Sequence, residues 1–90
     1  MAPPKLLDLV RRKIRLRRYS YRTEQAYVYW IKQFVVYSRR IHPRELGDEA
    51  VEHFLSHLAR DRHVSAATQN QALAALLFLY KYVSVATSAN

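Results

Sequence analysis

The side chains of this sequence that could do chemistry fall into three sets: two histidines four residues apart, seven tyrosines, and fifteen lysines and arginines set against seven carboxylates. His53 and His57 have the spacing with which one helix face presents two imidazoles to a metal ion, and Glu49 and Asp61 continue the same line. Between the histidines, however, stands Phe54-Leu55-Ser56, without the glutamate of H-E-x-x-H, and no further cluster completes a ligand set. Exposed helix histidines are the expectation, with no metal and no cofactor. None of the tyrosines is accompanied by a base or by grouped cations that would activate it, so each reads as core or as a stacking surface. A single glycine excludes a glycine-rich phosphate loop, and the absence of cysteine excludes thiolate chemistry and disulfides. No catalytic residue is expected in this chain.

The basic residues are the set with direction. Residues 1–40 hold eleven basic and two acidic side chains, a net +9, whereas residues 41–90 hold four and five, a net −1. A block of like charge on a helical chain implies a polyanionic partner, because each lysine or arginine brought to a phosphate releases condensed counterions. The alternative is a solvated basic surface kept for solubility. A basic amphipathic helix can also lie on anionic lipid, but the first helix has no Trp or Phe and three amphipathic helices follow to cover its apolar face. Membrane binding is not expected. No apolar run is long enough to span a bilayer, and the N-terminus lacks the apolar core of a signal peptide, so a cytoplasmic location is expected.

Ninety residues make one small domain, and the periodicity predicts four helices, about 5–17, 23–39, 48–60 and 65–83. Residues 1–5 read as a tail and 84–90 as a loosely ordered tail or the start of a linker; Pro43 and Gly47 mark the clear loop. Leu6, Leu7, Val10 and Ile14 form the first inner face; Tyr27, Trp30, Ile31, Phe34 and Val35 form the second, with Thr23 or Ser20 as its cap. Val51, Phe54, Leu55 and Leu58 form the third, and Leu73, Leu76, Leu77, Tyr80 and Val83 the fourth. Four stripes with short connections make an all-α, compact bundle of four helices, orthogonal or up-down, with no internal repeat.

The helix starts differ in charge. Asp48 caps the third, whose first turn carries Glu49 and Glu52 to complement its own dipole. The fourth begins at the Ser65 cap and continues Ala66, Ala67, Thr68, Gln69, Asn70, Gln71, without a carboxylate. Such a start leaves its free N–H groups for an outside anion, unless it is only an ordinary capped and exposed end. The tips of the second and fourth helices, read as free of carboxylates, are expected to form with the arginine-dense N-terminal segment a cradle for nucleic-acid backbone.

Four segments, Arg17 to Phe34 (R-R-Y-S-Y-R-T-E-Q-A-Y-V-Y-W-I-K-Q-F), His42 to Gly47 (H-P-R-E-L-G), Val51 to Ala59 (V-E-H-F-L-S-H-L-A) and Val64 to Tyr80 (V-S-A-A-T-Q-N-Q-A-L-A-A-L-L-F-L-Y), resemble in order and spacing the N-terminal core-binding domain of tyrosine recombinases, a SAM-like fold. The nearest likeness is to integron integrases. The resemblance implies one half of a C-shaped clamp on duplex DNA at recombination sites. Its second and fourth helices would approach the major groove and phosphates, and its first helix would meet other integrase protomers on DNA. It implies a DNA-facing set of Tyr19, Ser20, Arg22, Thr23, Gln25 and Lys32 on the second helix and Ser65, Ala67, Thr68, Gln69 and Asn70 on the fourth. Arg22 and Lys32 are assigned to phosphates, and Gln69 and Asn70 to base edges. The family's nucleophilic tyrosine and its partners belong to another domain, so none is carried over here. A free-standing basic helical protein-interaction module, or a small DNA-binding regulator, are the alternatives.

Overall fold

A computed structural model of the chain describes residues 4–41 and 48–84. Its elements are α1 (Pro4–Leu16), α2 (Tyr21–Ile41), α3 (Asp48–Arg60) and α4 (Ala66–Phe78), after which the chain continues as a π-helix, Leu79–Ser84. There is no strand among the described residues. The chain thus folds as the all-α bundle that its periodicity implies. Proline opens α1, where its missing N–H is no loss, and Val10 and Ile14 on its inner face are fully buried. Of the expected tails, Pro4 and Lys5 are already helical in α1 and Ser84 closes the π-helix, while residues 1–3 and 85–90 and the Pro43–Gly47 loop lie outside the described residues.

Two turns carry the architecture, and they are built alike. At the end of α1 the Tyr19 N–H reaches the Ile14 carbonyl at 3.3 Å and the Arg18 N–H the Arg15 carbonyl at 3.0 Å. That places Arg18 in the left-handed region, φ 58°. Ser20 then caps α2: its Oγ accepts the Thr23 N–H at 3.1 Å and donates to Thr23 Oγ1 at 3.0 Å. At the end of α3, His63 is left-handed at φ 52°, and two residues later Ser65 accepts the Thr68 N–H at 3.1 Å and donates to Thr68 Oγ1 at 3.0 Å. R-Y-S-Y-R-T and H-V-S-A-A-T are therefore one local device used twice. Of the two candidate caps for α2, Ser20 serves and Thr23 is the residue capped, so α2 begins two residues before the expected start.

The helices close on a core of Phe34, Phe54, Ile14, Ile31, Leu58 and Leu76, each under 2% exposed. Phe34 lies at its centre, edge-on to Phe54 at 5.6 Å and to Tyr80 at 6.2 Å. Each such side chain contributes about 1.5–3 kcal/mol of transfer free energy. The inner face of α4 departs from expectation. Leu77 is 60% exposed, and the buried residues of α4 are Ala72, Ala75, Leu76 and Phe78. The two buried alanines, with side chains of one methyl group, let α4 lie close against the rest of the core, a geometry that larger residues would forbid. The expected single helix over 65–83 also changes character at Leu79, whose N–H is shared between the Ala75 and Leu76 carbonyls as the π-helix begins.

Candidate nucleic-acid interface

Along α2, residues 22, 25, 29 and 32 follow at spacings of three and four, so they line one face. Arg22, Gln25, Tyr29 and Lys32 are all exposed there, and neither cation has a carboxylate partner among the described residues. The Gln25 amide donates to the Tyr21 hydroxyl at 3.1 Å, which steadies it across one turn. Ser20 is exposed and spends its hydroxyl on the cap; Thr23 is half-buried beside it. Tyr19 is 40% exposed, but its ring packs on Tyr27 at 6.1 Å and Phe78 at 5.7 Å.

The start of α2 is not free of carboxylates. Glu24 lies in its first turn, 7% exposed, and accepts from Arg15 Nε at 3.1 Å and Nη2 at 3.0 Å. This fork-to-fork pair neutralises the buried charge and ties α1 to α2. Glu24 in turn holds the Arg15 guanidinium protonated above its ordinary value, first by the hydrogen bond and then by charge. Arg15 is accordingly engaged within the fold, and Glu24 is masked from an approaching anion.

On α4, no carboxylate occurs in the first turn and Ser65 caps it. Ala67 and Asn70 are exposed and Thr68 is half-buried under its cap. Gln69 faces the other way: its amide donates to the Leu55 carbonyl at 3.0 Å, fastening α4 to α3. The two tips do not meet. The start of α2 leans on the end of α4 through Tyr19, Tyr27 and Phe78, with Tyr27 and Phe78 at 5.6 Å, whereas the start of α4 leans on α3. A cradle made of two adjacent helix beginnings is therefore absent, because the aromatic cluster sets the helices across one another.

What α2 and α4 share is a side face. The Trp30 Nε1–H donates to Gln71 Oε1 at 3.2 Å, and Tyr29 stands edge-on to Trp30 at 4.9 Å. This joint puts Tyr29 and Trp30 of α2 at Gln71 of α4, which is exposed as Ala67 and Asn70 are; Gln25 and Tyr29 also border Arg11 of α1. Within α2, α4 and the π-helix, Glu24 is the one carboxylate in the sequence. Tyr29, Trp30 and Gln71 were no part of the expected set; their contact spans 41 residues and leaves no local signal. At the far end, the Arg17 guanidinium lies 3.6 Å over the Tyr82 ring, with the Lys81 ammonium at 5.2 Å. Arg17 first, then Lys81, draw the Tyr82 phenol below its ordinary value, whereas burial pushes that of Tyr27 up.

The α3 side has a different character. A cleft of about 370 Å³ is lined there by Tyr37, Glu52, His53, His57, Arg60 and Asp61 among others. His57 is half-buried rather than exposed: its ring stacks on Tyr37 at 4.7 Å and its Nδ1 lies 2.9 Å from Asp61 Oδ2. Among the described residues, no group of three or more His, Asp and Glu side chains is placed to hold a metal ion. No helix there is long and apolar enough to cross a membrane.

Comparison with known proteins identifies relatives of the chain. Residues 6–87 match the family model of the phage integrase N-terminal SAM-like domain. Two proteins named "Integrase/recombinase", from Escherichia coli and Pseudomonas aeruginosa, are each 54% identical over 76 residues. The match covers 84% of this chain and 23% of each relative, so the chain spans about a quarter of their length.

Proposed function

Because this chain belongs to the phage integrase N-terminal SAM-like domain family, we propose that it is the DNA-binding portion of a site-specific tyrosine recombinase of the integron type. It forms one half of a clamp on duplex DNA at recombination sites and supplies no catalytic residue. The observation that supports this reading is the joint between α2 and α4, where Trp30 meets Gln71: Arg22 and Lys32 are exposed on the one helix, Asn70 and Gln71 on the other, and the single carboxylate of the two helices, Glu24, is buried. Arg22 and Lys32 meet phosphates there, the cap residues Ser20, Thr23, Ser65 and Thr68 hold the helix starts in shape, and Asn70 reaches a base edge. Tyr19, Gln25, Ala67 and Gln69 shape and support the face, Gln69 from behind. The first helix, with Arg12 and Leu16 exposed, is the surface for other protomers on DNA, and such a protein works in the cytoplasm of a bacterium.

Binding through this face is mostly electrostatic. With about six phosphates engaged, log affinity for duplex falls against log salt with a slope near −5. A titration of a short duplex at several salt concentrations measures it, and affinity independent of salt overturns the reading. A protein-interaction module with an acidic partner would instead tolerate Gln69→Ala plus Asn70→Ala in duplex binding and form a defined protein complex.

A further inference from the structure

We propose that Gln71 is a base-reading residue restricted to hydrogen-bond acceptors, and that Trp30 is the positioning residue that imposes the restriction. The proposal rests on the duplex-binding reading above and concerns what the α2–α4 face selects. An indole N–H can only donate, so the atom of the Gln71 carboxamide 3.2 Å from Trp30 Nε1 is its oxygen. Trp30 itself is 6% exposed and fixed within the core. The carbonyl is thereby turned inward, and the amide nitrogen, which has no partner among the described residues, is turned out from an exposed side chain. Ala67 and Ala74, one turn before and after, carry only methyl groups, so no long side chain on α4 screens Gln71 from a groove wall.

A free glutamine pairs with adenine by using both ends of its amide, accepting from N6 and donating to N7. Gln71 has its accepting end engaged. A donor-only end finds two acceptors on guanine, N7 and O6, a single one on adenine or thymine, and none on cytosine. The face therefore selects guanine where Gln71 enters the groove.

Selection from a pool of random-sequence duplexes by the 90-residue chain and two variants tests this. The wild-type chain enriches guanine at one position, and 7-deazaguanine at that position lowers affinity roughly fivefold or more. Gln71→Met loses that preference. Trp30→Phe frees the carboxamide and admits adenine at the same position. Gln71→Met with an unchanged base preference at every position overturns the proposal while leaving duplex binding intact. A wild-type chain that binds no duplex overturns both the proposal and the reading beneath it.

Discussion

The α1–α2 pair and the α3–α4 pair are joined by the same turn, a left-handed residue followed two positions later by a Ser-x-x-Thr cap with matching 3.1 and 3.0 Å bonds. They differ in what surrounds it. The first turn is clasped by the Arg15–Glu24 pair and by Arg17 stacked on Tyr82, and it opens a helix on which Arg22 and Lys32 are exposed without a carboxylate partner among the described residues. The second follows a helix with its own carboxylates, Asp48, Glu49 and Glu52, and its Gln69 fastens inward. One backbone device thus serves both halves, and the asymmetry needed for a polyanion comes entirely from side chains. Fold and proposed function fall on separable positions: the caps and the core make the bundle, and the proposed face lies on exposed residues of α2 and α4.

That comparison can be broken at its shared parts. The core is common to both pairs, so Phe34→Ala, which empties a site touching Phe54 and Tyr80, should cost about 3–5 kcal/mol and lower both pairs together in one transition. Chemical denaturation followed by circular dichroism measures it; two separate transitions would mean that the pairs are independent. Next in size, Ser20→Ala and Ser65→Ala should each cost about 1 kcal/mol, since each loses the same bond in the same geometry. A large inequality between them in a denaturation series would show that one turn is not like the other. Smallest, Arg18→Gly and His63→Gly should each gain about 0.5–1 kcal/mol by relieving a left-handed residue that has a Cβ. Thermal melts resolve that gain, and a loss at either position would mean that the side chain holds its turn.

Much of this was legible in the sequence, and the failures have physical causes. The stripes of α1, α2 and α3 fell where large residues recurred at helical spacing, and Ser65 announced its cap. In α4 the run A-L-A-A-L-L-F is apolar on every side, so periodicity cannot distinguish the face that packs. Large leucines drew the inference toward Leu77, while the contact is made by Ala72 and Ala75. Glu24 stood in plain sight, but its burial depends on Arg15 nine residues earlier. The repeated turn hid because a left-handed position asks for a backbone shape, which Arg18 and His63 both supply, leaving only Ser and Thr in common. The Trp30–Gln71 joint, which unites the face, pairs two distant positions by shape alone.

The central claim is that the α2–α4 face, and not the basic character of the chain at large, holds duplex backbone. The most direct measurement compares the salt slope of duplex binding in Arg22→Ala plus Lys32→Ala with that in Arg12→Ala plus Arg60→Ala, two double variants that remove equal charge from different faces. The first pair should make the slope shallower by about 2 and the second should leave it near the wild-type value. Equal changes in the two, or a loss confined to the second, would contradict the account.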